Sequence, residues 1–199
     1  MSILACAIDK LISSFQNNID AAIILCPSNK SYLLSTQCDS AGCLVVTKNK
    51  AHYIIDSRYF EAAQKLESDN IKVILQENLF EQIINILKKE NCKEICLETS
   101  FVSVETFKTY KNKLSDFKIN ASVDAGKFVC DLRKIKTKDE IFKIKKAQEI
   151  TDKAFSYILN SIKVGKSEKE LALELEFYMR SHGARSASFD IIFVGGKNS

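Results

Sequence analysis

The stretch CLVVTKNKAHYIIDSRYFEAAQKLES (residues 43–68) decides the fold class of this chain. Two short apolar runs, CLVVT and HYIID, flank the polar segment KNK, and this pattern predicts a β-hairpin. RYFEAAQKLES follows directly, and its spacing of apolar residues predicts a helix. A hairpin that leads straight into a helix indicates an α/β layer structure, in which helices cover a sheet.

The same alternation of strands and helices continues on both sides of this stretch. Strands are predicted at AAIIL (21–25), IKVIL (71–75) and EICLE (94–98), with further extended chain in FKIN (117–120) and KFVCDL (127–132). Helices are predicted at residues 3–16, in SNKSYLL (28–34) after Pro27, at 79–90 and at 103–114. The pattern therefore favours a mixed sheet covered by helices.

From about residue 136 the sequence changes to longer helical segments. Thr137 is predicted to cap a helix that continues to residue 162, because Glu140 follows three residues later as in a capping box. This change of pattern predicts two domains, residues 1–130 and residues 131–199.

The rest of the second domain is predicted to hold another helix and a strand. Gly165 is predicted to end the first long helix, and Ser167 to cap a second helix that ends at Gly183. RSASFDIIFV (185–194) then predicts a return to extended chain.

Composition and charge exclude several classes of protein. Apolar residues make up 46% of the 199 residues, which is enough for a buried core. The net charge of +4 gives no indication of nucleic-acid binding. The apolar runs are far shorter than the roughly 20 residues that span a bilayer, and MSILACAIDK (1–10) does not resemble a signal peptide. We therefore expect a cytoplasmic protein that binds neither nucleic acid nor membrane.

The seven cysteines are an odd number, which disfavours a fully paired disulfide framework. Their apolar neighbours predict that most are small core residues in a reducing cytoplasm. A metal site at Cys92 and Cys96 is disfavoured, because positions i and i+4 of a strand lie about 13 Å apart.

The residues alone do not assemble an active site. GGKNS (195–199) is similar to a phosphate-binding loop, but Ile191 stands where that motif requires a glycine. The two histidines, at 52 and 182, are expected to be structural or solvated, and no HExxH motif occurs. Glu170 and Glu174 share a helical face, as solvated surface residues often do. We therefore predict neither catalytic nor metal-binding residues in this chain.

Motifs in the second domain resemble a known family. LRKIKTKDEIFKIKKAQEITDKAF (132–155) is similar to the start of the catalytic domain of Xaa-Pro dipeptidases, aminopeptidases P and creatinases. The matching residues are Arg133, Lys136, Glu140, Ile141 and Ala147. The next segment matches at Gly165, Glu168, Glu170, Gly183, Ser188-Phe189-Asp190 and a Gly-x-Asn-Ser turn that ends at Ser199.

The first domain resembles the N-terminal creatinase-like domain of the same family. NKSYLLS (29–35) and the opening stretch carry the resemblance, with Asp56, Arg58 and Tyr59 in an Asp-x-Arg-Tyr motif. Ala63-Gln64 departs from it, because the family usually has Gln-Ala at this place. The resemblance covers nearly the whole chain, and its motifs occur in the family's order.

This resemblance implies an α/β creatinase-like domain followed by an incomplete α+β pita-bread domain. In the family, two divalent metal ions (Mn, Co or Zn) are held by two Asp, one His and two Glu and activate a water that attacks the bond before proline. All these ligands match positions beyond Ser199. The resemblance therefore implies that the chain alone binds no metal and is inactive, although the full-length enzyme would act on proline-containing peptides.

The resemblance also suggests roles for three residues of this chain. Phe189 would belong to the substrate-binding region, with a plain core strand as the alternative; Asp190 matches a position outside the metal cage. Arg58 and Tyr59 would lie on a surface facing another domain or the partner in a homodimer. The alternative is that Arg58 forms a local ion pair with Asp56 that fixes the strand-to-helix turn.

Two functions remain open at this point: part of a proline-specific metallo-exopeptidase, or a non-catalytic module that binds peptides or proteins. Within the peptidases, dipeptidase, aminopeptidase and creatinase-like chemistry also remain open. Half of a pita-bread domain should expose apolar faces of the helices at 137–162 and 168–182, which favours association.

Overall fold

The computed structural model describes residues 3–15, 18–39 and 41–198. The chain forms two compact units, Met1–Ile135 (unit 1) and Lys136–Ser199 (unit 2). The predicted division between residues 130 and 131 falls inside the last helix of unit 1.

Unit 1 is built on a mixed β-sheet. Its strands in the described part of the chain are Ala21–Ile24 (β1), Cys43–Thr47 (β2), Ala51–Ile55 (β3), Ile71–Leu75 (β4), Glu94–Leu97 (β5) and Lys118–Asp124 (β6). The strand order is β4-β3-β2-β1-β5-β6. β2 pairs antiparallel with β1 and β3, while β1–β5, β3–β4 and β5–β6 are parallel pairs. The predicted hairpin and the predicted strands at 21–25, 71–75 and 94–98 are confirmed.

Helices cover both faces of this sheet. They are Ile3–Ser13 (α1), Pro27–Leu34 (α2), Ser57–Gln64 (α3), Leu79–Lys89 (α4), Val104–Lys113 (α5) and Ala125–Lys134 (α6). Side chains of α1, α2, α3 and α6 pack on one face, and those of α4 and α5 pack on the other. The predicted helix at 3–16 is shorter than expected, and residue 16 lies outside the described residues.

The core forms because the central strands are apolar on both sides. Successive side chains of a strand point to opposite faces, so Val45 and Ile54 contact the α4 side while Leu44 and Ile55 contact the α1 side. All four side chains are buried, and burying apolar surface contributes about 25 cal/mol per Å². A sheet buried on both faces is what the near-continuous apolar runs predict.

KFVCDL (127–132) is helical, so the prediction of extended chain there is wrong. The Asp124 side chain accepts a hydrogen bond from the backbone N of Gly126 at 2.9 Å and caps α6. Phe128, Val129 and Leu132 recur at helical spacing and pack into the core. A short apolar run fits a strand or a buried helix equally well, and here the preceding cap decides.

The cysteines behave largely as predicted. Among those whose side chains are described, Cys38, Cys43, Cys92 and Cys96 are buried, Cys26 is half-buried and Cys130 is exposed. Burial raises the pKa of the Cys43 and Cys96 thiols to about 12, so both are inert apolar core residues.

Unit 2 contains the helices Lys138–Ser161 (α7) and Glu168–Ser181 (α8). Both predicted N-terminal caps are confirmed, since Thr137 with Glu140 and Ser167 with Glu170 form capping boxes. Ala154, Ile158 and Leu171 are the buried residues of the two helices. Among the described helices, none combines the length and apolar character needed to cross a membrane.

The ends of the two helices differ in how well they were predicted. Gly165 does not end α7, because Ile162 already leaves the helix with extended backbone and Gly165 lies in the following turn at φ +96°. Gly183 does follow α8, with φ +98° and its N–H donating to the carbonyl of Arg180.

The predicted strand at 185–194 is wrong. These residues have no regular structure, and a short 3-10 turn, Gly196–Asn198, follows them. A strand needs a neighbouring backbone to pair with, and the described residues of unit 2 supply none. The predicted turn residue Ser199 lies outside the described residues.

Candidate functional site

Arg58 and Tyr59 lie at the N-terminal end of α3, directly after β3. The Asp56 carboxylate caps this helix by accepting from the backbone N of Arg58 at 3.0 Å. It also accepts from Arg58 Nε at 3.2 Å and from Nη2 at 2.8 Å. These hydrogen bonds lower the pKa of Asp56 and raise that of Arg58. The local ion pair considered from the sequence is therefore present.

The remaining Arg58 side chain is exposed and lies against an aromatic ring. It is 73% exposed, and its guanidinium carbon is 5.4 Å from the centre of the Tyr59 ring. Interaction of the Tyr59 hydroxyl with the Asp39 carboxylate raises the pKa of Tyr59 and lowers that of Asp39. Asp39, Asp56, Arg58 and Tyr59 thus form a connected row, which we call the Arg58 surface.

A pocket of about 110 Å³ lies beside the Arg58 surface. The residues that line it include Cys38, Asp39, Tyr53, Tyr59 and Ala63. The Tyr53 hydroxyl lies 3.9 Å from Cys38 Sγ, and burial raises the pKa of both groups. A thiol with a raised pKa is a poor nucleophile, so the pocket offers shape and polarity for binding rather than an activated cysteine.

A buried polar cluster joins the carboxyl ends of β1 and β5. The fully buried Glu98 carboxylate accepts from the backbone N of Leu25 and of Cys26 at 2.5 Å, and from Asn29 Nδ2 at 2.6 Å. Arg133 Nη1 donates to Asn29 Oδ1 at 2.9 Å. Because β1 and β5 are parallel neighbours, a residue following one strand can reach the amides that follow the other. The cluster fixes the start of α2 and ties it to α6.

Lys30 on α2 fixes the loop that carries Asp39. Its side chain is fully buried, and Nζ donates to the carbonyls of Ala41 at 2.5 Å and Gly42 at 2.9 Å. Burial lowers the pKa of this ammonium group. Two backbone acceptors on consecutive residues orient the chain just before β2, and with it one side of the Arg58 surface.

In unit 2, the Glu174 carboxylate joins α7, the following turn and α8. It accepts from Lys166 Nζ and Ser161 Oγ at 2.5 Å and from the Tyr157 hydroxyl at 3.1 Å. These groups, Lys166 first, lower the pKa of Glu174 to about 2. Glu170 is engaged in the capping box of α8, so the two carboxylates have separate structural roles.

His182 also has a structural role, as expected. Its ring stacks on Tyr178 with a centroid distance of 3.9 Å, and Nδ1 lies 2.8 Å from the Tyr178 carbonyl. Tyr178 in turn stacks on Tyr157 at 4.4 Å. The three rings help to hold the C-terminal half of α8 against α7.

Phe189 is 73% exposed in the irregular segment 184–195. The alternative of a plain core strand is therefore wrong for this residue. Ile192 and Val194 in the same segment are also exposed, and Gly195 N donates to Glu168 Oε1 at 2.7 Å, which ties the segment to the start of α8. A substrate-binding role for Phe189 stays a prediction.

The helices of unit 2 expose apolar side chains, as the sequence predicted. On α7 and just after it these include Ile141, Phe142, Ile144, Phe155, Leu159 and Ile162, and on α8 they are Leu173 and Phe177. Such a surface is typical of a binding face. Association through it stays a prediction.

A divalent metal ion in a protein needs several converging side chains, usually His, Cys, Asp or Glu. Across residues 3–15, 18–39 and 41–198, no three side chains of His, Cys, Asp or Glu are grouped so that they could hold a metal ion. The described residues therefore do not fit a metal centre, and we derive no catalytic step through one.

Sequence reasoning missed the cluster around Glu98, the buried Lys30 and the Asp39 side of the surface. Glu98 follows the apolar run EICL, a position usually taken by a solvated strand end. Lys30 lies in a short helix whose apolar residues have no helical period. Only the spatial neighbours of these residues reveal their roles.

Family comparisons agree with both units. Residues 8–135 match the Creatinase/Prolidase N-terminal domain, and residues 143–199 match Metallopeptidase family M24.

Individual relatives show the same pattern. The chain is 34% identical to an uncharacterized peptidase, YqhT, of Bacillus subtilis, covering 96% of this chain and 54% of that protein. It is 33% identical to an Xaa-Pro dipeptidase of Pyrococcus furiosus over 96% of this chain and 53% of that protein. The solved structure of an Xaa-Pro dipeptidase from Bacillus anthracis superposes with a TM-score of 0.84 at 29% identity, covering 94% and 52%. The chain spans about half the length of the curated relatives it matches.

The fold and these matches define a protein with the layout of the Xaa-Pro peptidases, a helix-covered mixed sheet followed by an incomplete pita-bread domain. The chain belongs to the Creatinase/Prolidase N-terminal domain family and continues into a Metallopeptidase family M24 segment.

Proposed function

We propose that this chain is the N-terminal portion of a cytoplasmic, proline-specific metallo-exopeptidase that cleaves the bond at Xaa-Pro. The observation that carries this proposal is the consecutive match to the two domains, together with likeness to Xaa-Pro dipeptidases over half their length. The full-length enzyme would use two divalent ions, Mn, Co or Zn. Dipeptidase and aminopeptidase specificity both remain compatible with the chain.

Within this function, unit 1 would serve to complete and restrict the catalytic site rather than to perform the reaction. The connected row of Asp39, Asp56, Arg58 and Tyr59 supports such a role, because Asp56 holds Arg58 in place while the Arg58 side chain remains exposed. We propose that the Arg58 surface faces another domain or the partner of a homodimer. In unit 2 we propose that Phe189 contributes an apolar wall to the substrate-binding region.

The 199-residue chain is expected to show no hydrolysis of an Xaa-Pro dipeptide in the presence of Mn²⁺. The reason is that, by the family resemblance, the metal ligands match positions beyond Ser199. The release of free proline should be measured, with Mn²⁺ in buffer as the blank. Mn²⁺-dependent turnover by the purified chain would contradict this expectation.

The function itself is tested by the coding sequence after codon 199. We expect it to encode a Pro-His pair and then Asp, Asp, His, Glu and Glu in that order. The extended protein should hydrolyse Xaa-Pro dipeptides but not matched Xaa-Ala dipeptides. The proposed specificity would be refuted if an extended protein with these ligands bound Mn²⁺ but did not hydrolyse Xaa-Pro dipeptides.

Reversing the charge at Arg58 is expected to weaken self-association and leave folding intact. Arg58→Glu places a negative charge beside Asp56 at a proposed contact, which should raise the dimer Kd at least about tenfold. Analytical ultracentrifugation measures the Kd, and circular dichroism checks the urea midpoint. Lys127→Glu is the matched control, because Lys127 is also exposed and paired with an aspartate. Equal Kd values for the two variants would show that the Arg58 surface is not part of the dimer interface.

A non-catalytic module that binds peptides or proteins is the second candidate function. The exposed apolar side chains of α7 and α8 support it, since they offer an apolar surface to a binding partner. The same coding sequence distinguishes the two, because replaced metal ligands would support the module.

A further inference from the structure

His52 on β3 is a buried histidine whose ring is left without hydrogen bonds. It is paired in the sheet with Val45 of β2 and Lys72 of β4, and it is 5% exposed. Neither Nδ1 nor Nε2 has a hydrogen-bond partner among the described residues. Buried polar atoms are almost always paired, so this imidazole needs an explanation other than packing.

A carboxylate at the end of α4 lies close to the ring. Glu90 is the C-cap residue of that helix, and its Oε1 lies 3.8 Å from His52 Nε2, too far for a hydrogen bond. The other carboxylate oxygen, Oε2, accepts from Asn49 Nδ2 in the β2–β3 turn. Glu90 therefore bridges the helix end and the turn directly beside an unpaired imidazole.

The charges around the ring work in opposite directions. Glu90 favours a protonated imidazole, whereas Lys50 in the turn, Lys72 on β4 and Lys89 on α4 oppose it. Burial opposes protonation most strongly, and the combined effect lowers the pKa of His52 to about 4. The native arrangement therefore holds the ring in its neutral form.

We propose that His52 and Glu90 form an acid-sensitive latch, in which protonation of the imidazole releases the end of α4 and the β2–β3 turn from the sheet. An imidazolium ion here needs water, because the charges of Lys50, Lys72 and Lys89 oppose it and one carboxylate at 3.8 Å does not replace its hydration. Water reaches the ring once the Asn49–Glu90 bridge opens. The latch is closed at neutral pH and opens in acid.

The direction of the pH dependence follows from linkage. An unfolded histidine titrates near pH 6.5, and His52 in the fold near pH 4, so the unfolded state binds more protons between these values. The stabilisation from His52 is complete above pH 6.5 and is lost as the pH falls towards 4. Its contribution to the folding equilibrium constant should fall about 100-fold between pH 7 and pH 4.

The latch is tested by comparing the full 199-residue chain with its His52→Phe variant. Phenylalanine keeps an aromatic ring at this buried position and removes both unpaired nitrogens. Between pH 6.5 and 4 the urea midpoint of the wild type should fall much more than that of His52→Phe. His182→Gln is the matched control, because it removes the other histidine of the chain and should keep the wild-type pH dependence. Parallel pH profiles of all three proteins would overturn the proposal.

Direct measurements on the wild type keep the test valid even if His52→Phe does not fold. Proton NMR should resolve two histidine rings, assigned with His182→Gln, with His52 titrating near pH 4. Amide hydrogen exchange, corrected for its own pH dependence, should increase in acid at residues 48–52 and 86–92 ahead of β1 and β5. A His52 that titrates near 6.5, or exchange that rises uniformly across unit 1, would refute the latch.

Discussion

Replacing Glu98 by alanine is expected to lower the free energy of unfolding of unit 1 by about 3 to 5 kcal/mol. The buried carboxylate accepts from the amides of Leu25 and Cys26 and from the Asn29 side chain. Alanine would leave the buried Asn29 amide and the half-buried backbone amides of Leu25 and Cys26 without this acceptor, and a buried unpaired donor costs about 1 to 3 kcal/mol. The loss should exceed that of most single substitutions.

Amide hydrogen exchange in β1 and β5 measures this effect, because it reports on unit 1 separately from unit 2. Glu98→Gln should lower the free energy of unfolding less than Glu98→Ala does, since the glutamine amide keeps one acceptor oxygen. Glu61→Ala on the exposed side of α3 is the control and should change stability by less than about 0.5 kcal/mol. If Glu98→Ala were as stable as this control, the buried cluster would not hold the start of α2.

The layered α/β fold of unit 1 could be predicted because its signals are local. The hairpin at residues 43–56 follows from two apolar runs around a polar turn, and the capping boxes at Thr137 and Ser167 follow from residues three apart. Local signals failed where pairing partners decide the structure. KFVCDL became a helix because Asp124 caps it, and residues 185–194 stayed irregular because no described strand of unit 2 pairs with them.

The candidate site was predictable only in part, for a related reason. Asp56, Arg58 and Tyr59 are neighbours in sequence, so their ion pair could be anticipated. Asp39 joins them through a loop whose course depends on the buried Lys30, and Glu98 lies 69 positions from its partner Asn29. Contacts over such separations leave no periodic trace in a single sequence.

Replacing Gly42 by alanine is expected to destabilise unit 1 by about 3 kcal/mol. Gly42 has φ +74°, where an L-residue costs about 1 to 2 kcal/mol. An added Cβ would also lie 2.6 Å from Ile55 Cδ1 and 2.7 Å from the carbonyl oxygen of Ile54. The second atom belongs to the backbone of β3, so the clash can be relieved only by moving the loop, at a further cost of about 1 to 3 kcal/mol.

Gly183→Ala separates these two contributions. Gly183 has φ +98°, and a Cβ added there would meet no heavy atom within 4 Å, so its substitution should cost only the backbone strain, about 1 kcal/mol in unit 2. Amide hydrogen exchange in each unit measures the two decreases in the free energy of unfolding. Equal decreases for Gly42→Ala and Gly183→Ala would show that the loop before β2 is free to move.

Because Lys30 holds the carbonyl of Gly42, a displaced loop should also shift Asp39 away from Tyr59. Gly42→Ala should then lower the pKa of Tyr59 towards its ordinary value, a change that absorbance titration of the tyrosines would detect and that Gly183→Ala should not produce.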